Sequence, residues 1–287
     1  MKFNFISENQ ETFKVGLMCD VLQVSRPGFY AWLKRPESRR SRENRKLEDK
    51  IRVIHKDNKE IYGSPRIHAE LKDQGVKCSK NRVARIMRSG GLRSRIKRKF
   101  KATTDSRHNF PVAPNLLDQN FEVNTSNEVW VADITYIHTN EGWLYLAAVM
   151  DLFSRRIIGW AMASHISRRL TIDALKMAIA NRPDIEGAIH HSDRGSQYAS
   201  RDYQKVLKEH EIICSMSRKG NCYDNAVMES FFHSLKTEWV HHYRYLTRQQ
   251  AKNSIFYYLE IFYNRKRRHS LLNYMNPHEY EVWKMAA

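Results

Sequence analysis

Cysteine is scarce and badly spaced for metal binding. Cys19, Cys78, Cys214 and Cys222 form no CxxC pair and have no His partner at zinc-finger spacing, so a structural zinc site is excluded and reduced thiols are expected. The N-terminus lacks a charged segment leading into an apolar core of signal-peptide length, and apolar runs such as "LYLAAVM" at 144–150 are far too short to span a bilayer. A cytoplasmic chain with no membrane partner is the expectation. A heptad run of the kind that builds a leucine zipper is also missing.

Positive charge is what the chain has in excess. Its 287 residues are 41% apolar and carry a formal charge of +18, enough for a real core and, at about 100 to 200 residues per domain, for two domains. Residues 1–110 hold 28 Lys and Arg against 12 Asp and Glu, or +16, whereas residues 111–287 hold 21 against 19, or +2. Such polarisation suggests a polyanion-binding N-terminal part joined to a part whose carboxylates offset its bases.

Residues 12–33, "TFKVGLMCDVLQVSRPGFYAWL", read as a short helix, a break near Gln23, and a second helix capped by Ser25 and carrying Phe29, Tyr30 and Trp32, the outline of a helix-turn-helix. A charge-dense helix is expected over 35–59. In "YGSPRIHAELKDQG" at 62–75, Ser64 and Pro65 stand where an N-cap and a first helical residue belong, with Gly75 as the stop. "SKNRVARIM" from Ser79 to Met87 completes a second such pair, closed by Gly90 and Gly91. The basic run from 93 to 110 reads as a linker that also touches phosphates, through Arg93, Arg95 and Lys97, with Arg26 as a further contact in the first helix pair.

The pattern then changes to strands. In "EVWVADITYI" at 128–137, Val129, Val131, Asp133 and Thr135 share one face. Asp133 stands where a core-facing Val is expected, a costly place for a carboxylate unless a cation or several donors meet it. "WLYLAAVMDLF" and "RRIIGWAMA" complete what reads as a central meander of three strands. A helix at 171–182, a strand into "HHSDRGSQY" with Asp193 at its end, a helix at 200–210, the strand "EIICSMS" and a final helix follow. Carboxylates at strand ends facing one crevice are how an α/β sheet presents metal ligands. In that final helix, "NCYDNAVMESFFHSLKTE", Met228, Phe231, Leu235 and Trp239 form a buried stripe, and Asn225, Glu229, His233 and Lys236 share a narrow sector beside it.

Asp133 in "WVADITYI", Asp193 in "HSDRGSQY" and Glu229 in "GNCYDNAVMESFFHSLKTE", with 35 residues between the last two, resemble the DDE triad of retroviral integrases. They resemble more closely the integrase-like DDE transposases of bacterial insertion sequences, the second-reading-frame products of the IS-three type group. "VLQVSRPGFYAWLKRP", "YGSPRIHAEL" and "YNRKRRHSLLNYMNPHEY" extend the likeness almost end to end. The resemblance implies an α/β, ribonuclease H-like (retroviral integrase-like) core with a mixed five-stranded sheet flanked by helices, preceded by an all-α helix-turn-helix region. Its expected divisions are 1–92 helical, 93–120 linker, 121–240 catalytic core and 241–287 helical extension. It implies DNA cleavage at element ends and strand transfer by Asp133, Asp193 and Glu229 with two Mg²⁺ or Mn²⁺ ions. Asp133 would bridge both ions. Element terminal repeats and target DNA are the implied partners, with a homo-oligomer on DNA, association with the nucleoid, and an upstream-frame protein as fusion or partner. Lys236 matches a position that contacts DNA ends in integrases, and His233 lies beside it. A ribonuclease H-type nuclease and a non-catalytic DNA-binding regulator are the competing readings.

Other acids have plainer readings. Glu238, about 180° around the helix from Glu229, reads as a solvated or ion-paired surface acid. Asp224 reads as a helix N-cap and Asp151 as a turn cap beside Ser154 and Arg155. His190 and His191, without matching Cys, read as structural rather than metal-binding. Near the C-terminus "TRQQ" suggests a capping box of Thr247 with Gln250, opening a helix whose apolar face is Ile255, Phe256, Leu259, Phe262 and Tyr263. Tyr257, Tyr258 and Tyr263 read as core. Arg265, Lys266, Arg267 and Arg268 are expected against a phosphate backbone.

Overall fold

The computed structural model describes residues 1–95, 111–182, 184–218 and 222–286. Six helices come first: α1 (Lys2–Glu8), α2 (Val15–Val21), α3 (Arg26–Leu33), α4 (Arg39–Asp57), α5 (Ser64–Asp73) and α6 (Lys80–Ser89). Between α2 and α3 the chain turns at Gln23, left-handed at φ 52°, and the Ser25 hydroxyl accepts the Gly28 N–H at 3.1 Å. Ile6 of α1 joins Met18, Cys19 and Phe29 in a small core of this first pair. Ile6 is the one fully buried residue of α1, with Phe3 half-buried beside it against Phe29 and Trp32. In the second pair, Gly75 adopts φ 72° beyond α5, and the Ser79 hydroxyl caps α6 by accepting the Arg82 N–H. The expected cap of α5 is corrected by one residue: Gly63 holds that place, and Ser64 is already helical.

The sheet comprises β1 (Val129–Thr139), β2 (Gly142–Asp151), β3 (Ile157–Ala163), β4 (Ile189–Ser192) and β5 (Ile213–Met216) in the order β3-β2-β1-β4-β5. The β1–β3 meander is antiparallel, while β4 pairs parallel to β1 and β5 parallel to β4. The meander is therefore not central; β1 is the middle strand and β3 an edge. Helices α7 (Arg168–Asn181), α8 (Ser196–Ala199) and α9 (Arg201–Glu209) cover one face over Trp130 and Ala132. A side chain at Gly159 would collide with the Ala174 carbonyl oxygen of α7, so glycine lets that helix lie close against β3. Helix α10 (Ala226–Glu238) covers the other face, over Val129 and Val131, with Met228, Phe231, Leu235 and Trp239 buried as the stripe requires.

Helix α11 (Arg248–Phe256) opens at Thr247, whose hydroxyl accepts the Gln250 N–H, but the Gln250 side chain takes the Leu246 N–H instead of closing the box on Thr247. It passes into a π-helix over Tyr257–Tyr263. Tyr258 is buried as expected, but Phe256, expected on the apolar face, is turned out to solvent and lies edge-on to Trp160. Helix α12 (Pro277–Met285) ends the chain's described part, and its Glu281 accepts from Ser154, Arg156 and Arg182 around the β2–β3 turn. No helix among the described residues is long and apolar enough to cross a membrane.

The basic segment after the π-helix corrects an expectation. Arg267 is only 4% exposed and grips Glu238 with two hydrogen bonds of 2.6 and 2.7 Å; Arg66 of α5 reaches the same carboxylate at 3.2 Å. Arg268 is committed to Glu70 at 2.7 and 3.1 Å. Both were expected on a phosphate backbone, and Glu238 on the surface. Glu238 instead lies on the inner side of α10, where an unpaired charge is too costly, and Arg267 is drawn in to neutralise it. The Tyr62 hydroxyl donates to the Lys266 carbonyl and accepts the Arg268 N–H, tying the helical region to the tail. Arg265 and Lys266 remain exposed.

Strand β4 buries two histidines. His190 meets the Tyr203 hydroxyl at 3.0 Å, and His191 lies between the Ser215 and Ser217 hydroxyls at 2.9 and 3.1 Å. Burial, with His191 as neighbour, pushes His190 down to about 3, and burial pushes His191 down to about 4.

Two outcomes follow. Replacing Arg267 by Met strands Glu238 with a single partner and should cost about 3–5 kcal/mol in urea unfolding; a loss under about 1 kcal/mol would show that the pair is not the clamp described. Because both histidines titrate lower in the folded chain than in the unfolded one, their contribution is complete above about pH 6.5 and drains away as pH falls toward 4. Stability should then drop at up to about 1.4 kcal/mol per pH unit for each proton, with a shallower slope in His190→Gln. Raised Asp133 and Asp151 carboxyls slope the other way over this range, so the contrast between the two proteins is the readout, and equal slopes in wild type and His190→Gln from pH 7 to 5 contradict this.

Candidate active site

Parallel pairing of β1 with β4 sets the site. The last paired residues are Ala132 and Ser192, so Asp133 and Asp193 are the next residues on two adjacent strands running the same way. Beyond this point β4 ends, and β1 continues to Thr139 with β2 on one side only. The Asp133 carboxylate accepts the Ile134 N–H at 2.7 Å. Asp193 accepts the Gly195 N–H at 2.9 Å, and a Cβ on Gly195 would fall 3.0 Å from that carboxylate oxygen, so the turn needs a small residue there.

Helix α10 brings Glu229. Its N-cap residue Asn225 donates to the Ala132 carbonyl at 3.2 Å, fixing the helix start beside the strand position that precedes Asp133. Asp224 was expected as the N-cap. It is instead fully buried and takes the Arg218 N–H and guanidinium at 2.7, 3.1 and 2.9 Å and the Gln119 amide at 3.0 Å. These bonds hold its carboxyl well below the usual range, the Arg218 side chain contributing most.

Electrostatics ties the three acids together. Burial raises the Asp133 carboxyl well above the ordinary value, the Asp193 and Glu229 charges raise it further, and Lys236 pulls the other way. Burial also raises Glu229. Lys236 is lowered by burial and held up by Asp133, and its ammonium lies 4.6 Å from the centre of the Tyr136 ring. Among the described residues no three His, Cys, Asp or Glu side chains already stand close enough to ligate one ion. The carboxylates thus share a field, and holding a common ion would draw them closer. The set fits a hard divalent cation: it is all oxygen, it is anionic, and its central member is destabilised as an anion by burial. The buried Asn225 Oδ1 has no hydrogen-bond partner.

His233 is exposed on the same helix, and Arg26, Arg93 and Arg95 are exposed in the helical region. Lys97 lies outside the described residues. Asp151 does cap its turn, accepting the Phe153 N–H at 3.0 Å, but it is also fully buried, and burial pushes it up to about 6 despite Arg182 at 3.7 Å. Sequence reasoning missed Tyr198. Its buried hydroxyl has no hydrogen-bond partner among the described residues, and its pKa is raised well above the ordinary value by burial first, then by Tyr203, Asp133 and Asp193. The "GSQY" signal gave only its place after the second acid.

Known protein families match three segments of the chain. Residues 123–222 and 229–284 each match a profile described as "Integrase core domain", and residues 41–100 match "HTH-like domain", which covers α4 to α6 but not the α2–α3 pair. The chain is 43% identical to "Transposase InsF for insertion sequence IS3A" of Escherichia coli (strain K12) over 288 residues, covering all of both chains. It is 47% identical to "Insertion element IS600 uncharacterized 31 kDa protein" of Shigella sonnei over 260 residues, 91% of this chain and 96% of that one. A solved structure, the HTLV-2 integrase catalytic core domain in complex with magnesium (trimeric form), aligns at 17% identity and a TM-score of 0.43 over 54% of this chain and 96% of that chain. With near-complete relatives at this identity and an integrase-type core behind a helix-turn-helix region, the chain belongs to the insertion-sequence transposase family that includes InsF of IS3.

Proposed function

We propose that Asp133, Asp193 and Glu229 are the catalytic carboxylates of a DDE transposase that cuts DNA at the ends of its element and joins those ends to target DNA. The observation that carries this is the half-buried Asp133 at the end of the β1–β4 pairing, its carboxyl raised by both other acids. A destabilised anion with two anionic neighbours is a site that gains most from divalent cations. Asp133 would be shared between two ions, with Asp193 and Glu229 each completing one side. Mg²⁺ or Mn²⁺ bound there supplies Lewis-acid stabilisation of charge at phosphorus during an in-line displacement.

The protein's own residues do the positioning. Asn225 holds the start of α10 on β1, and the Asp224–Arg218 bonds brace the approach to that helix. Together they set where Glu229 faces Asp133. Lys236 is placed to meet a phosphate of the DNA end, and His233 lies further along the exposed side of α10. Arg265 and Lys266, with Arg26, Arg93, Arg95 and the linker's Lys97, supply charge for the flanking duplex, each contact steepening the salt dependence by roughly 0.9 log units. The element's repeats and the target are the DNA partners, a homo-oligomer assembles on them, and an upstream-frame protein acts as fusion or partner. The division into 1–92, 93–120, 121–240 and 241–287 assigns recognition to the first two parts and chemistry to the third.

Incubating the full chain with labelled, pre-cut element ends, a target plasmid and Mg²⁺ should give joined products. Asp193→Asn and Glu229→Gln should each lower joining by about two orders of magnitude or more, with end-binding by fluorescence anisotropy within about threefold of wild type. Joining at the wild-type rate by either variant removes that residue from the assignment.

A further inference from the structure

A cleft of about 620 Å³ opens along the part of β1 that follows Asp133, from Tyr136 onward, where the strand has lost β4 as a neighbour. One wall is the β1–β2 hairpin. Its Trp143 ring is 45% exposed and is held edge-on by Tyr136 at 5.0 Å and His138 at 5.2 Å, so a flat aromatic surface is presented in a set orientation. The other wall is the turn after α10, where Tyr243 is 48% exposed and packs on Trp239 at 5.5 Å. A backbone bond from the Asn140 N–H to the Tyr245 carbonyl, 3.0 Å, ties the two walls together. Lys236, His241 and Arg244 also line the cleft, and no carboxylate does among the described residues.

Large apolar rings left in water on a rigid frame, ringed by cations and without acids, match a ligand that has both π faces and negative charge. Duplex DNA offers phosphates but keeps its base faces stacked; an unpaired strand offers both. We propose that this cleft binds the unpaired nucleotides of the DNA strand next to the scissile phosphate, with bases stacking on Trp143 and Tyr243 and phosphates on Lys236 and Arg244. Its position relative to the scissile phosphate rests on the active site proposed above; its ligand class rests on the cleft alone. Lys236 links the two, since it lines the cleft while interacting with Asp133. The cleft would thereby capture the strand as the helix end frays and keep the cut end in reach of the carboxylates.

The test uses the full chain and two fluorescein-labelled probes, a blunt duplex and the same duplex bearing a thymidine tail of about four nucleotides. Wild type should bind the tailed probe about tenfold more tightly. Trp143→Leu and Tyr243→Ala should each bring the two probes to within about twofold, with blunt-duplex binding and melting temperature unchanged, while Trp143→Phe keeps most of the preference. Arg244→Ala should reduce the salt slope on the tailed probe by about one. No tail preference in wild type, survival of the preference in both Trp143→Leu and Tyr243→Ala, or equal losses in Trp143→Phe and Trp143→Leu would overturn the proposal. So would a change of oligomeric state in place of the tail effect, which would mark the cleft as a contact between copies. Failure of wild type to join DNA with the tail preference intact sinks the catalytic assignment alone and leaves the single-strand site standing.

Discussion

The architecture turns on a repulsion between carboxylates that the fold sets up and that Lys236 offsets only in part. Placing Asp133 one residue beyond the parallel β1–β4 pairing puts it beside Asp193, and packing α10 on the same face adds Glu229. Each step buries or crowds negative charge, which a chain optimised only for stability would avoid. Crowded negative charge of this kind at one spot is what singles out Asp133, Asp193 and Glu229 as the candidate site.

Much of the remaining chain holds that spot in place. Asn225 and Asp224 bind the approach to α10 to the sheet and to Arg218. From the C-terminal side, Asn264 makes two hydrogen bonds to the backbone of Ile157 at the start of β3, and Glu281 closes the neighbouring turn through Ser154, Arg156 and Arg182. The Arg267–Glu238–Arg66 cluster connects α10 to the helical N-terminal region, so the helix that carries Glu229 is braced at both ends. These buried ion pairs make the orientation of α10 expensive to change, because breaking one leaves a charge without a partner.

The sequence made some of this legible for specific reasons. Alternation along "EVWVADITYI" exposed Asp133 as an acid in a core position, and the 3.6-residue spacing after Asn225 separated Glu229 from the buried stripe correctly. Ser25 was readable as a cap because its side chain bonds locally, whereas Ser79, read as the first helical residue, caps its helix in the same way. What failed depended on partners distant in the chain. Arg267 looked like a surface base until Glu238, 29 residues earlier, was found buried opposite it. Phe256 left the apolar face at a π-helix that no periodicity announces, and the Tyr198 hydroxyl and Asn225 Oδ1 gained interest only from lacking hydrogen-bond partners among the described residues. The meander could be read from its turns, but its position at one side of the sheet required the parallel crossover to be seen.

Binding of Mn²⁺ to the full chain on a pre-cut DNA end, followed by isothermal titration and by the ion's electron-spin resonance, addresses the carboxylate cluster directly. Two spin-coupled ions per chain are expected for wild type and at most one, uncoupled, for Asp133→Ala with DNA binding retained. Mn²⁺ uptake of the same stoichiometry and coupling in Asp133→Ala would contradict the role given to that residue.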